Sequence, residues 1–226
     1  MLHRDKCRSR GIVFCVAALI VAPAAIGQTD VQDAGKQLVD RFIFDITTLQ
    51  GRFTQSLIDA DGQVVEVNEG TLEVQRPGQF RWSYTEPYEQ SLIADGLNVW
   101  SYDVDLAQVT VKPQAGALSN TPALLLGGSA DAMDQFNYDS SIVENDTTWV
   151  RLSPKNTDGG FHRIELGFTA GRLSRMVFFD NLEQKTLVAL YDVKVDDPID
   201  PAQFQFVVPG HVDVVGVAAV AETTGP

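Results

Sequence analysis

The sequence predicts an α+β domain in which one curved antiparallel sheet packs against helices. Three observations carry this. An amphipathic helical stripe opens the folded part of the chain. Period-two alternation then runs from Arg52 to Val195 with one interruption. That interruption contains an apolar stretch, residues 120–136, that reads as short helices.

Each element follows from its residues. Val31, Ala34, Leu38, Phe42 and Ile46 recur at helical spacing, and Thr29 and Gln32 have the spacing of a capping box. Asp59-Ala60-Asp61-Gly62 separates two strand-like runs, and Asp-Gly is a strong hairpin signal. Leu72 and Val74 alternate with Thr71, Glu73 and Gln75; Phe80, Trp82 and Tyr84 alternate with Arg81, Ser83 and Thr85. Asp95-Gly96 marks the next turn, after which Trp100 and Tyr102 share one face and Val109 and Val111 another. The segment Asn120-Thr121-Pro122 to Gly127-Gly128 starts with a capping residue and proline and stops at glycine, which predicts a two-turn apolar helix. Ala130 to Phe136 predicts a second. The strand pattern resumes with Ile164, Leu166 and Phe168, runs through Leu173 to Phe179, and ends on Leu187, Ala189, Tyr191, Val193 and Val195. About six strands thus precede the helices and about five follow, each with one apolar and one polar face. Helices closing over such a concave sheet leave an apolar cavity, the usual form of a ligand site.

The two ends of the chain stand apart. His3, Arg4, Lys6, Arg8 and Arg10 precede an apolar run from Gly11 to Ile26, broken by Pro23, with Ala25 and Gly27 at the −3 and −1 positions of a cut. This is the pattern of a secretory signal peptide spanning residues 1–27; the run is short for a membrane-spanning helix. Cys7 and Cys15 both fall within it, so the mature chain has no thiol chemistry and no cysteine at the cut site for lipid attachment. The expected folded domain covers residues 28–216. After Gly216 the composition is small and polar, and residues 217–226 are expected to be disordered.

Charge and motifs exclude whole classes of function. Net charge is −13, and removing four Lys/Arg and one Asp with residues 1–27 makes it −16. Nucleic acid as a partner is excluded, because phosphate binding needs clustered Lys and Arg. His162 and His211 have no second His or Cys at metal-ligand spacing, so no metal is expected. No nucleophile elbow, Walker loop or dinucleotide glycine pattern occurs, so no cofactor is expected and the chain does not read as an enzyme.

Five pieces of the sequence, in this order, carry a resemblance: Phe53-Thr54-Gln55; Arg76-Pro77-Gly78-Gln79-Phe80-Arg81-Trp82; Pro87 with Ser91-Leu92-Ile93-Ala94-Asp95-Gly96; Val99-Trp100-Ser101-Tyr102-Asp103; and Asn120-Thr121-Pro122-Ala123-Leu124-Leu125. Together they resemble the outer-membrane lipoprotein carrier family, LolA, from about Val31 to Gly216. The resemblance implies an unclosed half-barrel covered by short lid helices, a monomer in the periplasm. It implies triacylated lipoproteins as cargo, an inner-membrane ABC transporter as donor and an outer-membrane lipoprotein as acceptor. Arg76 matches the family arginine that tethers the lid in the empty state, and Phe80 an aromatic of the binding region.

The physical need for a covered site is large. At about 0.8 kcal/mol per CH₂, three chains of roughly fifteen carbons cost on the order of 35 kcal/mol to hold in water. The carrier must also let go, so a closed empty state with its own contacts has to compete with cargo. Leu38, Phe42, Phe53, Phe80, Trp82, Trp100, Leu124 and Leu125 are the expected walls of the acyl cavity, core and wall being one face in this architecture. Two other readings stay open: a periplasmic lipid-sensing domain on the same half-barrel, and a periplasmic hydrolase with an unrecognised acidic site.

Overall fold

The computed structural model describes residues 28–114, 123–127, 133–156 and 160–220. The expected signal peptide, the flanks of the expected lid and the last six residues lie outside them. Helix α1 (Gln28–Asp40) runs on into a π-helical turn, Arg41–Asp45. Six strands follow: β1 (Thr48–Ile58), β2 (Val64–Gln75), β3 (Gln79–Glu86), β4 (Gln90–Asp95), β5 (Asn98–Asp103) and β6 (Gln108–Pro113). Helix α2 (Ala123–Gly127) is the described part of the expected lid. Then come β7 (Phe136–Glu144), β8 (Thr147–Pro154), β9 (Phe161–Thr169), β10 (Arg172–Asp180), β11 (Lys185–Val195) and a short β12 (Asp213–Gly216). Of the second predicted helix, 130–136, the described part is a 3₁₀ turn, Met133–Gln135, and Phe136 already begins β7.

All twelve strands form one sheet in the order β12-β6-β5-β4-β3-β2-β1-β11-β10-β9-β8-β7. Every pairing is antiparallel except β12 on β6, which is reached by the long crossover from β11 that a parallel neighbour requires. The sheet is not closed: β7 and β12 are its two edges. The start of α1 lies along the β7 edge and satisfies part of it. The Ser141 backbone N–H donates to the Gln32 side chain at 3.1 Å, the Ser141 hydroxyl to the Val31 carbonyl at 2.6 Å, and the Tyr138 hydroxyl to the Gln32 carbonyl at 2.7 Å. The Gln32 side-chain oxygen is therefore engaged with a strand.

The turns behave as their residues require. In Asp59-Ala60-Asp61-Gly62 the Asp59 carboxylate accepts from Gln63 N–H at 2.8 Å, and Gly62 takes φ +81°. Asp95 accepts from the Leu97 and Asn98 N–H groups and, on its second oxygen, from the Trp100 indole at 2.7 Å.

The main core fills the concave face. Val39, Phe42 and Ile43 of the first helical segment and Leu125 and Leu126 of α2 pack into one cluster with strand residues from β1 to β5 and β7 to β10, Val188 and Leu190 of β11 completing it. Phe42 shows how far the sheet curls. Its ring lies 4.7 Å below the Arg76 guanidinium and 6.3 Å from the Phe168 ring. Arg76 follows β2 and Phe168 sits on β9, four positions apart, about 19 Å in a flat sheet.

In β11 the predicted face is corrected. Val188 and Leu190 are buried, not Leu187, Ala189 and Tyr191, and the parity then changes so that Val193 and Val195 join the concave side. The cause is a bulge: the β1–β11 register shifts between Gln50 and Arg52, with Asp192 at φ +54°.

A second, smaller layer lies on the convex face. Ile93, Val109, Val111 and Phe204 are almost fully buried and are not part of the concave cluster. The segment between β11 and β12 straps over them: Gln203 O accepts from Arg81, and the Phe206 ring sits 5.4 Å from Trp100 and 5.8 Å from Tyr102. The chain also stays attached beyond Gly216, where disorder was expected to begin. Asn98 and Ala219 exchange two hydrogen bonds, at 2.7 and 3.1 Å.

Candidate functional site

The site is the concave face where β1, β2 and β3 meet the helices. Alternation brings Phe80, Trp82 and Tyr84 to one side of β3, and Phe53 of β1 reaches them across β2. Gly70 makes that possible. A Cβ there would run into the Ser83 carbonyl and lie 2.6 Å from Cζ of Phe53, so only glycine lets the Phe53 ring lie over β2. Phe53 then stacks on Trp82 at 4.1 Å and meets Tyr84 edge-on at 5.4 Å.

Arg76 closes this face at one end. It follows β2 directly, in the Arg76-Pro77-Gly78 turn. Its Nη1 donates to the carbonyls of Phe42 and Ile46 at 2.5 and 3.0 Å, and its Nε to Leu126 O at 3.2 Å; a longer bond joins Nη2 to Leu125 O at 3.4 Å. One guanidinium thus ties the π turn after α1 to the end of α2. The π turn supplies free carbonyls, as an i→i+5 turn at a functional site does. The Gly78 N–H adds a bond to Gly127 O at 2.9 Å, so three successive carbonyls of α2 are held by one turn of the sheet. Burial pushes the Arg76 pKa down to about 10, opposed in part by Asp196. Only its fork of donors matches carbonyls on two elements at once; a lysine ammonium does not.

The described concave residues are packed against one another, the arrangement of a shut lid. A pocket of about 250 Å³ opens beside the tether, lined by Phe42, Ile46, Leu49, Leu173, Val193 and Val195, with Arg41 and Arg172 at its rim. That is below the roughly 300–1,000 Å³ of sites for drug-sized ligands, and three acyl chains need more. This pocket alone does not hold such a cargo.

Comparison with known proteins now bears on this geometry. Residues 45–207 match the family model described as outer membrane lipoprotein carrier protein LolA. The chain belongs to the LolA family. Two relatives, each named outer-membrane lipoprotein carrier protein, agree. That of Methylobacillus flagellatus is 36% identical over 89% of this chain and 97% of its own. That of Methylococcus capsulatus is 39% identical over 76% of this chain and 83% of its own. Among solved structures, an uncharacterized conserved protein from Thermus thermophilus shares the fold, with a TM-score of 0.51 at 16% identity over 81% of this chain and 97% of its own.

The structure gives the burial and the face of the residues expected to line the wall. Phe42, Phe53, Phe80, Trp82 and Leu125 are buried on the concave face, and Leu38 is half-buried against it. The Leu124 side chain lies outside the described residues. Trp100 is the error. It pairs with Ile93 and Val111 and points to the convex side, under the strap. Alternation told that Trp100 has a buried face but not which face of the sheet it was, because this sheet is covered on both. Trp100→Ala is expected to leave lipid uptake unchanged while lowering stability by about 2–3 kcal/mol, read by denaturant unfolding beside an uptake assay. Lost uptake with an intact fold would return Trp100 to the cavity. Phe168, Val188 and Leu190 share this buried face and were not among the expected wall residues, the last two hidden by the β11 bulge.

Proposed function

We propose that this chain carries lipoproteins through the periplasm, holding their acyl chains against the concave face once α2 has lifted. It acts as a chaperone and not as an enzyme. The observation that carries this reading is the Arg76 tether: a buried guanidinium spent on helix carbonyls makes sense in a lid that must both shut and open. The closed state competes with cargo, so affinity stays low enough for release.

The finer parts of the proposal are supported by the N-terminal sequence pattern and by the family resemblance. Residues 1–27 act as a signal peptide, and the mature protein begins at Gln28. An ABC transporter of the inner membrane loads the chain, and a lipoprotein acceptor of the outer membrane relieves it. The net charge of −16 after cleavage favours partners with basic docking surfaces. Export is checked by intact mass of the periplasmic protein; a product retaining Cys15 would contradict it. Hand-off is checked by incubating the loaded, soluble complex with outer membranes. Labelled lipoprotein is expected to move to acceptor-bearing membranes and to stay on the carrier when the acceptor is absent. Equal transfer to both would mean passive leakage and would contradict directed delivery.

A further inference from the structure

The described residues include three buried side-chain polar atoms without a hydrogen-bond partner: Glu73 Oε2, Arg163 Nε and Trp82 Nε1. Glu73 and Arg163 alternate with the buried Leu72, Val74 and Ile164, and so belong to the convex side. Trp82 Nε1 faces the concave site. Trp82 is 8% exposed, and a buried indole N–H normally finds an acceptor. Its neighbours are polar in a face that is otherwise apolar. The Tyr84 hydroxyl donates to Gln55 Oε1 at 3.1 Å. Burial pushes the Tyr84 pKa up, while Trp82 and Gln55 beside it pull it back. The indole N–H nonetheless does not meet the hydroxyl in hydrogen-bond geometry.

We propose that Trp82 Nε1–H, flanked by Tyr84 and Gln55, is a subsite for an acyl carbonyl oxygen of the cargo. The inference rests on the carrier reading and adds a polar contact to it. An ester carbonyl has acceptors and no donor, and an indole has a donor and no acceptor. An ester drawn into an apolar cavity loses its water and needs such a donor. The empty and loaded states are then complementary. When the lid is shut, Arg76 donates to four carbonyls and Trp82 Nε1 to none; when cargo enters, Arg76 is released and Trp82 gains a partner. The subsite selects for acyl chains over plain hydrocarbon, which the aromatic wall alone does not distinguish.

The test compares two probes of equal chain length, 1,2-dipalmitoylglycerol and its diether 1,2-dihexadecylglycerol, which lacks the carbonyls. Affinities are measured on the exported chain by displacement of a fluorescent fatty acid. The diester is expected to bind about tenfold tighter, the effect of one net hydrogen bond. Trp82→Phe is expected to remove the preference, bringing the ratio of diester to diether affinity from about ten to about one. A measurement without any variant accompanies it: the Trp82 indole N–H resonance should shift with diester and not with diether. Equal binding of the two probes to the wild type, equal loss of both in Trp82→Phe, or an indole resonance indifferent to the carbonyl each overturns the subsite alone. Failure of the wild type to bind either probe overturns the carrier reading and the subsite with it.

Discussion

Phe80→Glu is expected to abolish cargo uptake and to lower the thermal midpoint of the empty protein by about 10 °C or more. Phe80 has no exposed surface, sits between Val74 and Ala94 on the concave face, and belongs to the cluster that includes the lid leucines. Losing such a ring costs about 3–5 kcal/mol, and a carboxylate in its place has no partner. The shut protein must then protonate the glutamate or open to hydrate it. Both outcomes cut into a domain stability of about 5–15 kcal/mol. In the open protein the same carboxylate meets acyl chains, so binding is lost where any folded protein remains. Phe80→Leu keeps the face apolar and is expected to retain uptake. A Phe80→Glu protein that melts with the wild type would mean the shut packing is wrong; one that takes up cargo normally would remove Phe80 from the binding face.

Arg76→Leu is expected to spare uptake and to block release. The variant loses bonds to the Phe42, Ile46, Leu125 and Leu126 carbonyls, the last two of which hold α2 against the sheet. Each bond to a charged group is worth about 1.5–3 kcal/mol, but the burial that lowers the Arg76 pKa offsets part of the total. A net loss of about 1.5–3 kcal/mol from the shut state raises cargo retention roughly ten- to a hundredfold. The measurement is the rate of transfer from preloaded carrier to acceptor membranes. Arg76→Lys should fall between, since one ammonium cannot span both helical segments. Transfer at the wild-type rate by Arg76→Leu would end the tether's role.

Much of this was legible because period-two alternation needs no tertiary information. The β3 residues Phe80, Trp82 and Tyr84 read correctly, since a strand inside a regular antiparallel run shows one clean face. Reading failed where a bulge or a second cover intervened. The β11 bulge at Asp192 switches which residues point inward, and alternation carried through it picks the wrong face for Leu187 to Tyr191. β7 gave no pattern because its register slips between Tyr138 and Ser140 and one face lies under α1. Trp100 was misplaced because the strap bearing Phe206 makes the convex side apolar too. Arg76 could be singled out only by family resemblance: nothing local says that a strand-end arginine will find carbonyls some thirty and fifty residues away.

The central claim is that the concave face takes lipoprotein acyl chains out of a membrane and into solution. The most direct test mixes the purified chain with energised inner-membrane vesicles that carry labelled lipoprotein and its transporter, then separates soluble from sedimented label. The account predicts a soluble complex of carrier and triacylated lipoprotein, formed by the wild type and not by Phe80→Glu. Label that stays in the pellet with folded wild-type protein present, or a soluble complex that forms equally well with lipoprotein stripped of its acyl chains, would contradict it.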